Sequence, residues 1–142
     1  MAGSADLLDA RILIVDDQES NVRLLEYVLR RAGYVAVAST TDPVGVRELH
    51  DQNQYDLIIL DIQMPRMSGL EVLKGLRSAV GGDGVAALVL TADPAQMVRA
   101  LELGATGFLG KPFVLAEVLL RVRLMLEVTP RFVAVSPRQL MA

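Results

Sequence analysis

The strongest constraint on how this chain can fold is a set of five short apolar runs, four of which end in a charged or hydroxyl side chain. Arg11-Ile-Leu-Ile-Val-Asp-Asp17 ends in two carboxylates and Asp56-Leu-Ile-Ile-Leu-Asp61 in one. Val85-Ala-Ala-Leu-Val-Leu-Thr91 ends in a hydroxyl, and Thr106-Gly-Phe-Leu-Gly-Lys111 ends in a cation followed by Pro112. Tyr34-Val-Ala-Val-Ala38 is the fifth run. Such runs are too short for helices, and their richness in β-branched residues is the pattern of strands buried on both faces.

Between the runs the apolar period changes to that of a helix. From Ser20 to Ala32, the residues Val22, Leu25, Val28, Leu29 and Ala32 recur three or four apart, with Gly33 as a stop signal. Weaker helical patterns run from Val44 to Leu49, from Leu70 to Leu76 and from Ala95 to Leu103. Ser68-Gly69 and Pro94 precede the last two and suit helix starts. The final helix, Phe113 to Val128, is the most apolar of the set. Strands alternating with helices over short connections imply an α/β fold, a doubly wound five-stranded parallel sheet with helices on both faces. In such sheets ligands bind at the carboxyl ends of the strands, beside a topological switch point. Asp16, Asp17, Asp61, Thr91 and Lys111 all fall at those ends, so residues far apart in sequence are expected to form one site.

Composition agrees with one compact unit: 142 residues, 52% hydrophobic and 22% charged. A net charge of −3, with no lysine or arginine cluster, gives no electrostatic case for direct nucleic-acid binding. The absence of cysteine excludes disulfides, thiolate metal sites and cysteine nucleophiles. No apolar stretch reaches the ~18 residues of a membrane span and the amino terminus has no secretory pattern, so no membrane association and a cytoplasmic location are expected. Residues 1–10 read as a loosely held arm, 11–128 as the domain, and 129–142, with Pro130 and Pro137, as a tail or linker. Gly81-Gly-Asp-Gly84 reads as a flexible loop, and His50, late in a surface helix without a companion ligand, as a solvated side chain.

Three carboxylates converging at one place repel strongly, which suits the site to a hard, oxygen-preferring cation such as Mg²⁺. A cation there attracts phosphoryl oxygens, Lys111 adds a second positive charge, and the Thr91 hydroxyl can donate to a third oxygen. Asp61 is the natural phosphoryl acceptor because it stands alone on its strand, whereas Asp16 and Asp17 are an adjacent pair suited to the metal.

The ordered set Ile14-Val-Asp-Asp17, Leu60-Asp-Ile-Gln-Met-Pro65 with Met67-Ser-Gly69, Leu90-Thr-Ala92 and Phe108-Leu-Gly-Lys-Pro-Phe113 resembles the response-regulator receiver domains of two-component signalling, from about Arg11 to about Glu127. The resemblance implies the flavodoxin-like (βα)5 receiver fold. It also implies that Asp61 takes a phosphoryl group from a sensor histidine kinase or histidine phosphotransfer protein in a Mg²⁺-dependent reaction. Asp17 would bind the metal directly, Asp16 partly through water, and the Gln63 carbonyl would complete the set. Thr91, Lys111 and the Ala92 amide would hold phosphoryl oxygens, and Thr91 with Phe108 would act as the switch. Gln63 and Asp93 would flank the path of hydrolytic water, and the Lys111–Pro112 bond would be cis. Such a domain catalyses only its own phosphorylation and dephosphorylation. The loop and helix start Asp16-Asp-Gln-Glu-Ser-Asn-Val-Arg-Leu-Leu resembles receivers joined to cyclic-dinucleotide phosphodiesterase or sensor-kinase modules more than those joined to DNA-binding domains.

Three other readings stand beside this one. A haloacid-dehalogenase-like phosphatase also forms an aspartyl-phosphate but wants Asp-x-Asp on its first strand. A flavodoxin-like cofactor binder wants a Ser/Thr/Gly phosphate loop where this chain has Asp-Gln-Glu-Ser. A degenerate receiver serving only as an interaction module would lack some of the five residues. In the final helix, Leu115, Leu119, Val122 and Leu126 form a stripe expected to pack on the sheet, leaving Leu120 and Leu124 for a homodimer or effector interface.

Overall fold

The computed structural model describes residues 6–78 and 85–133. In chain order the elements are β1 (Arg11–Val15), α1 (Glu19–Arg31), β2 (Ala36–Thr40), α2 (Val46–Asn53), β3 (Leu57–Asp61), α3 (Gly69–Ser78), β4 (Ala86–Thr91), α4 (Pro94–Glu102), β5 (Gly107–Gly110) and α5 (Leu115–Glu127). Short 3₁₀ turns occupy Leu7–Asp9, Pro43–Gly45 and Pro130–Phe132. All strand pairs are parallel, in the order β2-β1-β3-β4-β5, so the chain reverses its direction of travel across the sheet between β1 and β3.

Alternation along the strands sorts their side chains into two cores. Ile12, Ile14, Leu57, Ile59, Leu88 and Leu90 pack under α1 and α5. Leu13, Val15, Ile58, Leu60, Ala87 and Val89 pack on the other face, with Val72, Leu73 and Leu76 of α3 and Ala100 of α4. Both faces are covered, which is why the strands read as unbroken apolar runs.

The second strand lies two residues beyond the run Tyr34–Ala38, because Gly33 takes a φ of 105° and the Tyr34 amide closes α1 on the Leu29 carbonyl at 3.2 Å. Tyr34 is thereby turned into the core before the strand begins. The second helix starts later than Val44, since Asp42 accepts from the Val44 amide and caps a 3₁₀ turn first. It then runs on through the polar Asp51-Gln-Asn53 and stops at Gln54, which adopts a left-handed φ of 51°.

His50 corrects an expectation: it is buried, not solvated. The chain doubles back after Gln54, and the Tyr55 amide donates to His50 Nδ1 at 3.1 Å, with the two rings stacked 6.1 Å apart. The final helix is also rotated from the expected stripe. Val118, Val122, Met125 and Leu126 are its buried residues, while Leu115 and Leu119 are half-buried at the margin. Met125 turns inward because Gly107 leaves space above β5: a Cβ there would lie 3.2 Å from the Met125 sulfur.

Parts of the expected arm and tail belong to the core. Ala10 is fully buried, Leu7 packs beside it, and the Leu8 carbonyl accepts from the Val35 amide at 3.2 Å. At the other end Phe132 is buried in the same cluster, and Arg131 pairs with Asp56 at 2.7 Å. The Gly81–Gly84 loop, residues 1–5 and residues 134–142 lie outside the described residues.

Candidate functional site

Strand register assembles the site. Val15 pairs with Leu60, so Asp16 follows level with Asp61; Asp61 pairs with Leu90, which places Thr91 next in line. Thr91 pairs with Gly110, so Lys111 leaves the sheet beside it. Because every strand is parallel, these residues meet at one edge, astride the reversal between β1 and β3.

Carboxylate oxygens of Asp16, Asp17 and Asp61 lie within 4.8 Å of one another. Asp16 and Asp61 are almost wholly buried and Thr91 fully so. Lys111 Nζ reaches Asp61 Oδ1 at 3.0 Å, and the Gln63 amide approaches the same oxygen at 3.4 Å. Asp16 accepts from the Gln18 amide at 2.9 Å and from the Asn21 side-chain amide at 3.2 Å. Burial pushes the Asp16 carboxyl above its ordinary pKa and the Asp61 charge adds to that, while the Gln18 amide, the Asn21 amide and Lys111 oppose it.

Asp17 differs from its neighbours: its Oδ1 is buried and has no hydrogen-bond partner. A buried acceptor left unpaired beside two further carboxylates is costly, and an all-oxygen donor set relieves that cost by holding a hard cation. The residues present therefore fit a metal ion.

Gly69 and Asn21 are contributors that the strand-end pattern does not reveal. A Cβ on Gly69 would lie 2.4 Å from the Asp61 carbonyl oxygen and 2.8 Å from Ile62 Cα, and its amide donates to the Ile62 carbonyl at 2.9 Å. Glycine thus lets α3 begin directly against the backbone that presents Asp61. Asn21 is signalled only by lying one turn into α1, five residues past Asp16.

The Thr91 hydroxyl oxygen accepts from the Asp93 amide at 3.1 Å, and the Asp93 carboxylate caps α4 by accepting from the Ala95 amide at 3.0 Å. Ala92 and Gln63 are exposed beside the cluster. Phe108, on β5, is half-buried and packs against the α3/α4 core, and the Lys111–Pro112 bond is cis. Leu120 and Leu124 lie on α5 and are exposed, apart from the acidic cluster.

The family described as "Response regulator receiver domain" matches residues 12–123. Response regulator MprA of Mycobacterium sp. (strain KMS) is 40% identical over 124 residues, covering 86% of this chain and 53% of that protein. The alkaline phosphatase synthesis transcriptional regulatory protein PhoP of Bacillus subtilis (strain 168) is 35% identical over 120 residues, covering 84% of this chain and 50% of that protein. This chain therefore spans about half the length of the curated relatives it matches. Among solved structures, a putative response regulator from Chloroflexus aurantiacus J-10-fl superposes with a TM-score of 0.78 at 31% identity, covering 83% of this chain and 98% of that one. The signal receiver domain of a signal transduction histidine kinase from Syntrophus aciditrophicus gives 0.78 at 27% identity, covering 89% and 97%. Among the described residues no helix is long and apolar enough to cross a membrane.

Proposed function

Since the chain belongs to the response regulator receiver domain family of two-component systems, we propose that Asp61 is its phosphoacceptor and that Asp16, Asp17, Asp61 and the Gln63 carbonyl hold Mg²⁺. The observation that carries this reading is the Lys111 ammonium 3.0 Å from Asp61 Oδ1, inside a triad of carboxylates with one unpaired buried oxygen. When bound, Mg²⁺ offsets the charge of the carboxylates and of an incoming phosphoryl group.

The chain's own residues do the rest. A carboxylate oxygen of Asp61 attacks phosphorus, and the bond to the donor breaks with its electron pair leaving on the donor. Lys111 exchanges part of its contact with Asp61 for a phosphoryl oxygen, which holds the group in line. Thr91 turns its hydroxyl to donate to a second oxygen, and the exposed Ala92 amide supplies another donor. Movement of Thr91 is coupled to Phe108, which lies two register positions back on the neighbouring strand, and Phe108 turning inward reshapes the surface of β5 and α5. The phosphoryl group comes from a sensor histidine kinase or histidine phosphotransfer protein, which places the domain in the cytoplasm. Leu120 and Leu124 offer the apolar surface for a homodimer through α5.

Incubation with acetyl phosphate and Mg²⁺ should add one phosphoryl group by intact-mass spectrometry, and beryllofluoride should occupy the same place. Asp61→Asn should abolish both. Labelling that persists unchanged in that variant would move the acceptor elsewhere.

A further inference from the structure

A cavity of about 240 Å³ reaches the acidic cluster from its side. It is lined by Asp17, Thr41, Pro43, Met64, Pro65 and Arg66, and so opens between the connection from β2 to α2 and the connection from β3 to α3. One ion pair joins those two connections: Arg66 Nη1 lies 3.6 Å from Asp42 Oδ1. Asp42 is held independently of Arg66, since its Oδ1 accepts from the Val44 amide at 3.1 Å and its own amide donates to Thr40 Oγ1 at 3.0 Å.

Both partners are largely exposed, so the pair contributes little to folding stability. Its consequence is the position of a positive charge. Arg66 lines the same cavity as Asp17, whose Oδ1 is buried and unpaired. A guanidinium released from Asp42 faces the Asp17 carboxylate across the same cavity, and a guanidinium donating to Asp17 takes a lone pair that a cation would use.

We propose that Asp42 and Arg66 form an electrostatic gate on the acidic cluster, in which Asp42 holds the Arg66 charge outward and so sets how tightly a divalent cation binds. The inference rests on the reading of Asp16, Asp17 and Asp61 as the Mg²⁺ site.

The test is titration of the full chain with Mg²⁺ alone at low salt, followed by backbone amide shifts in NMR. A unit charge at the rim of an exposed site alters divalent-cation affinity by about threefold, and salt at about 0.5 M largely removes the effect. Arg66→Gln should therefore tighten Mg²⁺ binding by about threefold. Asp42→Asn should weaken it by more than about threefold, because its own charge is lost and Arg66 is also free to turn inward. In the Arg66→Gln background, Asp42→Asn should show only the smaller loss due to its own missing charge, because no guanidinium remains for it to restrain. An Asp42→Asn effect of equal size in both backgrounds would show simple additive charge and overturn the gate, as would wild-type affinity in both single variants. Asp17→Asn separates the two levels: if it binds Mg²⁺ as the parent does, the metal-site reading falls and the gate with it. If Asp17→Asn loses binding while the Arg66 and Asp42 variants stay unchanged, the gate alone is overturned.

Discussion

His50 is the chain's one histidine, the side chain whose ordinary pKa lies in the imidazole range. Its Nδ1 is an acceptor for the Tyr55 amide, a role open only to the neutral ring. Burial pushes its pKa below the ordinary histidine value; Arg77 adds to that shift and Asp51 opposes it. The unfolded chain takes up the proton near pH 6.5 while the folded chain still refuses it, so the unfolded state binds more protons just below that pH. Stability is then complete above about pH 6.5 and falls as pH drops toward the lowered folded value. Urea unfolding midpoints should decline from about pH 7.5 to about pH 5.5 in the parent and decline less in His50→Gln. Parallel slopes in the two proteins would contradict this role. Nothing in the local sequence marks His50 as buried, because its burial depends on the left-handed turn at Gln54 and on where Tyr55 goes next. Gly69 is a similar case: its sequence context suits a helix start, but its function is set by a backbone 2.4 Å from where a side chain would begin.

Elements were easier to read than residues wherever their pattern was repetitive. α1 lies within one residue of its periodic segment, since Val22, Leu25 and Leu29 define one buried face and the turn at Gly33 ends it. α5 was readable as a helix but not in its rotation, because leucines surround it and only contact with β4, β5 and α1 selects Val118, Val122 and Met125 for burial. Leu120 and Leu124 remain 56% and 48% exposed, which leaves two large apolar side chains in water on one helix. Replacing both with Glu should give a folded, phosphorylatable protein whose phosphorylation-dependent association, measured by light scattering, is at least about tenfold weaker. Undiminished association would place the interface on another face, such as that of Val98 and Leu101 on α4.

On the scale of the molecule, the two ends of the described chain close the side of the sheet opposite the acidic cluster. Phe132 is 5% exposed and shares a cluster with Ala10, Ile12, Tyr34 and Val122, while Arg131 and the Arg11 amide both bond Asp56 Oδ2. The segment after α5 is thus part of the folded unit as far as Val133, not a free connector. Phe132→Ala should cost about 3 kcal/mol in urea unfolding, as for a large buried aromatic, while Asp61 remains phosphorylatable under native conditions. A loss below about 0.5 kcal/mol would show that the segment only rests on the surface.

Sequence alone determined the parallel α/β fold and the convergence of Asp16, Asp17, Asp61, Thr91 and Lys111. The reason is local: buried strands need unbroken apolar runs, and a polar residue that ends such a run sits at the sheet edge whatever surrounds it. Tertiary structure alone decided which face α5 buries, that His50 and Phe132 are core, that Gly69 must lack a side chain, and that Asp42 meets Arg66 across two loops. Each of these depends on a contact made where the chain turns back on itself or meets a distant segment, and no periodicity along the chain encodes the geometry of that meeting.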